Sequence, residues 1–580
     1  MTRRFTLFCI TTLSLMALIG QPAVRADEPN KAFAAFVDEY FDAYFAWKPS
    51  DATAAGLHQY DGKLEDSSKE AYLLRIEKVK ALQARLAQLQ QGSLSFDEKI
   101  DAEMLDHLMK AELHDLVTIG TWKRNPMGYI SGPASSIDNL MKRSFAPPAE
   151  RLKSVISRLK AVPAVQTSMK ANLINPPREF TDLAIRMGEG SIGFFKDDVY
   201  NWAKEAAGNN TALLKEFETA NAAVIKSFEE SASWLKKDLL PTTKPNQFAI
   251  GKDKFAKQLL FEEMVDIPLD KLLAIGEANL KKDYDKFVAT AKKIDPTKTP
   301  AEVMKLLSDK HPTEEDLIPA GKRTIEKIRK FLIDKKIVTI PSEVRPTIME
   351  TPPYARDGGF ASMDTPGAYE TKATEAFYYI TPPEKDWDAK RKEEHLRLFN
   401  FPVLEVVTIH EAFPGHYIQF LYAKQYPTKT RKLTYSNSNV EGWAHYGEQM
   451  MLEEGYGEGD PKIQLAQLSE ALLRDCRFVV GIRMHTLGMT LEDGTKYFQE
   501  KGFQEHSTAF EEARRGAYNP TYLYYTLGKL QIYKLREEYR KLKGNAFSLE
   551  EFHNTFVKQG GLPIKLIRRI MLPGDTGPSL

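Results

Sequence analysis

Two histidines and two glutamates in the last third of the chain have the residue types and the spacing of metal ligands. His410 and Glu411 are adjacent, His416 follows six positions after His410, and Glu441 follows 25 positions after His416. Zinc sites that perform chemistry hold three protein ligands and keep one position open, where water is activated. The sequence predicts Glu441 as the third ligand, because a second helix can pack back across the first over this distance.

The spacing of the two histidines requires a break in the helix that carries them. Residues four apart on an α-helix share one face, whereas residues six apart differ by about 120° and by about 9 Å along the axis. Pro414 has no N–H for a helical hydrogen bond, and Gly415 beside it relaxes the backbone. We therefore expect a bulge at these two residues that returns His416 to the face of His410.

The second helix offers further polar side chains next to the predicted third ligand. Glu441, His445 and Glu448 fall on one helical face, so either His445 or Glu448 is expected to orient a ligand from behind. Taken alone, the two histidines are also compatible with ordinary surface or core positions. Glu441 is equally compatible with a solvated helix residue.

Helical patterns dominate the elements that must position these residues. Apolar side chains recur every three or four residues over 76–89 and 213–235, which is typical of helices that bury one face. Short β-type runs occupy 337–340, 347–349 and 376–380, separated by turn residues. The sequence predicts a mainly α, multi-helix fold with a small sheet inserted near 337–380. An edge strand of that sheet offers a place for an extended peptide.

The change from helical patterns to short β-type runs near residue 340 indicates a boundary between two regions. We expect a helical N-terminal region over 27–340 and a catalytic region over 341–580 that contains the sheet and the metal-binding helices. The composition, 42% hydrophobic and 27% charged over 580 residues, excludes a disordered tail or a collagen-like repeat. Lys and Arg number 80 against 79 Asp and Glu, so no basic field indicates a nucleic-acid partner.

The first 26 residues have the pattern of a cleavable export signal. Arg3 and Arg4 precede an apolar run over 5–20, and Val24 and Ala26 are the small residues that a signal peptidase reads. The sequence therefore predicts a periplasmic or secreted bacterial protein with no membrane span after cleavage. Cys476 would then be the remaining cysteine, so no intramolecular disulfide is expected.

Three stretches of the chain resemble a known bacterial family. They are the runs 410–416, 441–446 and 519–530, the last continuing through 552–553 and 561–564. Together they are similar to the family filed as domain of unknown function 885. The resemblance implies a large helical metallopeptidase-like fold of the gluzincin type. In that type two histidines and a glutamate bind Zn²⁺, which maps onto His410, His416 and Glu441 here.

If zinc binds to these three residues, peptide hydrolysis also needs a proton acceptor and a hydrogen-bond donor. Glu411 is expected to accept a proton from the attacking water and to pass it to the leaving amine. A donor is also needed for the oxyanion of the tetrahedral intermediate, and Tyr525 or its neighbour Tyr524 is the first choice, with His485 second. The alternatives are amphipathic packing for the tyrosines and a structural role for His485.

Two arginines just ahead of these tyrosines have two possible roles. Arg514 and Arg515 either clamp a substrate carboxylate or form a solvated basic turn.

Two functional hypotheses follow. The first is an exported zinc-dependent peptidase that hydrolyses short peptides. The second is a non-catalytic helical periplasmic binding protein that retains the peptidase fold. Glu411 favours the first, because a protein without catalysis has no need of the base.

Overall fold

The computed structural model describes residues 30–351, 360–385 and 387–580. Within them the chain forms a mainly helical structure with one small sheet, which confirms the predicted fold class at that level. The predicted signal peptide over residues 1–26 lies outside the described residues. None of the helices in the described segments is both long and apolar enough to cross a membrane.

Fourteen α-helices are described ahead of the sheet, and the predicted apolar stripes form their buried faces. Ile76, Val79, Leu82 and Leu86 are buried along one side of the third helix. The helices are α1 Lys31–Trp47, α2 Pro49–Ala55, α3 Lys69–Leu89, α4 Phe96–Leu113, α5 Thr121–Arg124, α6 Met127–Met141, α7 Pro148–Asn172, α8 Arg178–Lys196, α9 Asp198–Ala207, α10 Thr211–Trp234, α11 Lys252–Glu263, α12 Leu269–Ile294, α13 Pro300–Ser308 and α14 Leu317–Asp334.

Eleven described helices follow the sheet and run almost to the C-terminus. Five of them, α16, α17, α19, α20 and α23, surround the predicted metal ligands. The bounds are α15 Ala389–Arg397, α16 Phe401–Glu411, α17 His416–Ala423, α18 Lys429–Leu433, α19 Asn437–Glu453, α20 Pro461–Thr486, α21 Leu491–Gly502, α22 His506–Tyr518, α23 Tyr524–Lys543, α24 Leu549–Val557 and α25 Ile564–Met571.

The sheet has three strands in the order β1-β3-β2. The strands are β1 Thr347–Glu350, β2 Ala361–Asp364 and β3 Phe377–Ile380. β1 pairs with β3 in parallel, with Thr347 opposite Phe377, and β2 pairs with β3 in an antiparallel register. Tyr378 of β3 meets Thr408 of α16 across 3.2 Å between their hydroxyl oxygens. The sheet therefore lies directly beside the helix that carries His410.

The prediction of a strand over 337–340 is wrong. Ile337 is buried, but its carbonyl accepts a hydrogen bond from Nδ1 of His553 at 2.7 Å. The N–H of Thr339 donates to the side chain of Asn554 at 2.9 Å. Side chains of α24 thus take the hydrogen bonds that a neighbouring strand would supply. The third strand is β2 instead, which the sequence patterns did not indicate.

The two largest apolar cores each contain residues from both sides of residue 340. One joins residues from Met127 to Leu307 with residues from Leu465 to Tyr525, and α12 packs along α20 within it. The other joins α14 and the sheet to α16, α17, α19 and α23–α25. The predicted helical and catalytic regions therefore share their cores.

Candidate metal centre

The two predicted histidine ligands lie on two successive helices. α16 ends at Glu411, residues 412–415 form a tight link with a cis Phe413–Pro414 peptide, and α17 begins at His416. The expected bulge within one helix is therefore a complete break between two. The predicted consequence holds, because the imidazole rings of His410 and His416 lie 4.9 Å apart, measured between their centroids.

Glycine is required at the end of this link. A Cβ atom on Gly415 would fall 1.7 Å from the carbonyl oxygen of His410, well inside contact distance. The N–H of Gly415 donates to the carbonyl of Ile409 at 3.1 Å. On the other side, the indole N–H of Trp443 donates to the carbonyl of Pro414 at 2.7 Å. The link is therefore fixed both by α16 and by α19.

A close helix crossing places Glu441 beside the histidines. α19 and α23 approach so closely at Gly442 and Gly528 that a Cβ on Gly528 would lie 1.8 Å from the carbonyl oxygen of Ser438. Glu441 directly precedes this crossing on α19, and Tyr525 lies one turn ahead of it on α23. The crossing therefore brings the side chains of Glu441 and Tyr525 close to the two histidines.

The three predicted ligands form one compact group. One nitrogen of each histidine and one carboxylate oxygen of Glu441 all lie within 4.8 Å of one another. Oε2 of Glu441 is 3.4 Å from Nε2 of His410 and 3.6 Å from Nε2 of His416. Burial opposes ionisation of Glu441, but hydrogen bonds from the two histidines hold its pKa well below the usual range. The group pairs one carboxylate with two imidazoles.

The two distances from Glu441 are close to those between ligand atoms around a tetrahedral zinc ion. Ligand atoms that each lie about 2.0–2.1 Å from a tetrahedral ion are about 3.3–3.5 Å from one another. Nδ1 of His416 has no hydrogen-bond partner among the described residues, and its Nε2 faces Glu441. His410, His416 and Glu441 are therefore the residues that could hold a metal.

Glu448 supports His410 from behind. Its Oε1 accepts a hydrogen bond from Nδ1 of His410 at 2.7 Å, which leaves Nε2 free to face Glu441. Its Oε2 accepts from Nδ1 of His445 at 3.1 Å, so His445 lies one step further back. Burial would lower the pKa of His410, but the hydrogen bonds to Glu441 and Glu448 raise it to about 9.

Glu411 is half-buried at the last position of α16. Its carboxylate makes no hydrogen bond or ion pair with any residue in the described segments. It lies within electrostatic reach of Tyr378, where burial and then this carboxylate raise the pKa of the phenol. An unpaired carboxylate adjacent in sequence to a candidate ligand is free to accept a proton.

Tyr525 joins the group from α23. Its ring is stacked near that of His410, with 6.5 Å between the centroids and 26° between the planes. Burial, followed by the charge of Glu441, raises the pKa of Tyr525 to about 12, so the phenol stays protonated at neutral pH. The hydroxyl of neighbouring Tyr524 instead accepts a hydrogen bond from Asn519 at 3.0 Å. Of the two tyrosines, the structure places Tyr525 beside His410.

His485 does not join the group, contrary to its prediction as a second oxyanion donor. It lies on α20, eleven residues or about 16 Å along the helix axis beyond Arg474, the residue of that helix that lies 3.4 Å from Glu448. It is 1% exposed, donates through Nε2 to the carbonyl of Gly516 at 2.8 Å and contacts the ring of Phe255. His485 is a packed core histidine.

Two arginines of α20 belong to the surroundings of the group and were missed by the sequence patterns. Arg474 lies 3.4 Å from Glu448, and Arg477 lies over the ring of Tyr525. The signal was present, because Arg474, Asp475 and Arg477 are charged residues between the apolar stretches 471–473 and 478–482. Charges at buried positions require partners, and such positions are often functional.

Two solved structures share this fold over nearly all of the chain. A candidate lipoprotein of unknown function from Shewanella oneidensis is 28% identical, with a TM-score of 0.78, and the match covers 93% of this chain and 99% of that one. A candidate lipoprotein from Colwellia psychrerythraea is 19% identical, with a TM-score of 0.80 and the same coverage. No curated protein matches the sequence.

A family model identifies the chain more directly. It covers residues 49–571, which include α16, α17, α19 and α23 and therefore every residue of the candidate metal centre. The chain belongs to the bacterial family of proteins of unknown function designated DUF885.

Proposed function

We propose that the chain is a zinc-dependent peptidase of the gluzincin type that hydrolyses short peptides. The observation that carries this proposal is the spacing of three potential ligands. Oε2 of Glu441 lies 3.4 and 3.6 Å from Nε2 of His410 and of His416. Two imidazoles and one carboxylate are a ligand set that catalytic zinc sites use.

The surroundings of the ligands support the same reading. Glu448 accepts the Nδ1 proton of His410, an arrangement that fixes the tautomer and orientation of a zinc-binding histidine. When bound, zinc would lower the pKa of water and polarise a substrate carbonyl. His410, His416 and Glu441 would supply the three protein ligands that a catalytic zinc ion needs, and water would be activated there.

Two side chains then act on the substrate. Glu411, whose carboxylate has no partner among the described residues, accepts a proton from the attacking water and returns it to the leaving amine. Tyr525 keeps its proton because of its raised pKa, so its hydroxyl donates a hydrogen bond to the developing oxyanion. The proposal thus assigns proton transfer to the carboxylate of Glu411 and stabilisation of the developing negative charge to the hydroxyl of Tyr525.

The sheet offers a surface for an extended peptide. β2 is an edge strand, and the neighbouring β3 contacts α16 through Tyr378 and Thr408. α16 also packs against β2, so a substrate paired with that edge would lie beside the helix that ends at Glu411.

The location of the protein belongs to the same proposal. The sequence predicts export, and both similar structures are described as candidate lipoproteins. We place the peptidase in the bacterial envelope or periplasm, where short peptides are its substrates.

Metal analysis and a digest test the proposal together. The purified protein should contain or take up about one zinc ion per chain and should cleave members of a synthetic peptide mixture, read by mass spectrometry. Chelation should abolish cleavage and zinc should restore it. A non-catalytic binding protein would take up peptides but leave the mixture intact, which would refute the peptidase.

A further inference from the structure

Three positively charged side chains surround the ring of Tyr525. The guanidinium carbons of Arg474, Arg477 and Arg515 lie 5.7, 4.9 and 5.8 Å from its centroid. Cations over an aromatic face are attracted to it, but three of them at one ring also repel one another. Each of them therefore needs a compensating negative charge nearby.

Two of the three cations have that compensation. Arg474 lies 2.6 Å from the carboxylate of Glu470. Arg477 is held by both oxygens of Glu512, each at 2.7 Å. Their positive charges are balanced within the protein.

Arg515 has no ion-pair partner of its own among the described residues, because the nearby carboxylate of Glu512 reaches it only at longer range and is held by Arg477. In the part of the chain that the structure describes, no carboxylate lies in ion-pair distance of its guanidinium. Its hydrogen bond runs from Nη2 to the hydroxyl of Tyr525, at 3.1 Å. A half-buried cation next to two others is costly unless an anion joins it. The planar guanidinium fork matches a carboxylate in particular, because two parallel hydrogen bonds can form.

The position of Arg515 indicates where that anion would come from. Its guanidinium is 5.8 Å from the ring of Tyr525, whose centroid is 6.5 Å from that of His410. An extended peptide spans about 3.3–3.6 Å per residue. A chain with its scissile bond at the candidate metal centre would therefore reach Arg515 within a few residues.

We propose that Arg515 binds the C-terminal carboxylate of the peptide substrate, so that the enzyme releases one to three residues from carboxyl ends. This inference rests on the proposed function, because it takes the scissile bond to lie at His410, His416 and Glu441. The guanidinium of Arg514 does not share this role, since it pairs with Glu511.

Binding to the metal-free protein tests this without turnover. The probes are a mixture of tripeptides with randomised side chains and the same mixture with C-terminal amides, titrated into chelator-treated protein by calorimetry. Loss of a charge-assisted pair should weaken binding roughly 10- to 100-fold for the amides. Arg515→Gln should bind both mixtures with the weak affinity of the amides, and Arg515→Lys should fall between. Arg514→Gln is the matched control and should keep the preference.

Cleavage by the zinc-loaded protein gives a second readout. Because Arg515 also contacts Tyr525, its replacement slows every substrate, so the informative quantity is the ratio of kcat/KM for free acid over amide. That ratio should be roughly 10–100 in the wild type and about 1 in Arg515→Gln. Amides that contain internal Asp or Glu should not regain the rate, which separates a terminal from a side-chain carboxylate.

The outcomes separate this inference from the proposed function. Equal binding and equal cleavage of acids and amides by the wild type would overturn the role of Arg515 and leave the peptidase standing. A preference for free acids in binding without any cleavage would support the carboxylate contact of Arg515, but it would refute the peptidase and with it the release of residues from carboxyl ends. Binding of neither mixture would overturn the carboxylate site, and an acid preference that persists in Arg515→Gln would overturn its assignment to this residue.

Discussion

Glu448 holds His410 through a hydrogen bond of 2.7 Å and is itself fully buried. Burial opposes its charge, but Arg474 and His445 hold its pKa well below the usual range, so it accepts the Nδ1 proton as a carboxylate. The orientation of one candidate ligand therefore depends on a charge that lies wholly inside the protein.

This relationship predicts that Glu448→Gln weakens zinc binding without removing a ligand. An amide presents a neutral acceptor or a donor to His410, so the ring loses part of its orientation and basicity. Changes to such partners typically cost about 10- to 100-fold in metal affinity. Competition titration with a chromogenic chelator measures the change. Glu453→Gln, an exposed change on the same helix, is the control, and equal affinities for the two variants would contradict the role of Glu448.

Replacement of a ligand should have a larger effect on the metal. His416→Ala removes one of the three donor atoms and should reduce zinc content to a small fraction, while the circular dichroism of the helices stays near wild type. His506→Ala, an exposed histidine on α22, is the matched control and should retain the metal. Full zinc occupancy in His416→Ala, measured by elemental analysis, would remove His416 from the ligand set.

A change at Glu411 should slow peptide cleavage without removing the zinc ion. Glu411→Gln keeps the size of the side chain but cannot accept a proton, so peptide cleavage should fall about 10²–10⁴-fold. Tyr525→Phe removes one oxyanion donor and should cost less, because a bound metal would still polarise the carbonyl. Steady-state cleavage rates test the order, and both variants should retain zinc. A fully active Glu411→Gln variant would show that the base lies elsewhere.

The crossing of α19 and α23 makes a prediction about stability. Gly528→Ala places a methyl group against the carbonyl of Ser438, so the helices must separate, at a cost of about 1–3 kcal/mol or more. Gly190→Ala is the opposite case, since α8 is exposed there and nothing lies within 4 Å of the new methyl group. That change should stabilise by about 0.5–1 kcal/mol. Urea denaturation compares the two, and a neutral Gly528→Ala would contradict the close approach.

The buried His485 predicts an acid-dependent loss of stability. Burial lowers its pKa from about 6.5 to about 4, so between these values the unfolded chain binds the proton and the folded protein does not. Its contribution is complete above about pH 6.5 and is lost as the pH falls towards 4, by at most about 1.4 kcal/mol per unit. His485→Gln should lose less stability than the wild type between pH 7.5 and pH 5 in urea denaturation. Parallel losses would show that His485 does not contribute.

The proximity of His410 and His416 was predictable because residue type and spacing constrain it strongly. Two histidines on either side of Pro414 and Gly415 admit few arrangements, and the structure brings their rings within 4.9 Å. The form of the break was not predictable. Pro414 lacks the N–H that a continuous helix needs, and either a bulge or a complete end of the helix would accommodate this. The choice between them depends on the hydrogen bond from Trp443, a residue distant in sequence.

The errors have a common physical origin in tertiary contacts. Ile337 begins a run with strand-like composition, yet side chains of α24 form hydrogen bonds with the backbone groups of that run, so no neighbouring strand pairs with it. His485 has the residue type of a catalytic donor, yet its position along α20 buries it away from the group. The sequence is compatible with either a substrate clamp or a solvated turn at Arg515, because only the structure reveals which neighbouring arginines already have partners.

The shared cores also determine when the protein can complete its fold during synthesis. A ribosome produces α7, α10 and α12 early, but the core they line is closed by α20–α22 and ends at Tyr525. Until those helices emerge, a large apolar surface of the nascent chain has no partner. Chains interrupted before residue 525 would expose that surface permanently, so we expect truncated products to aggregate or to depend on chaperones. Folding of this protein is therefore an event of the last part of translation.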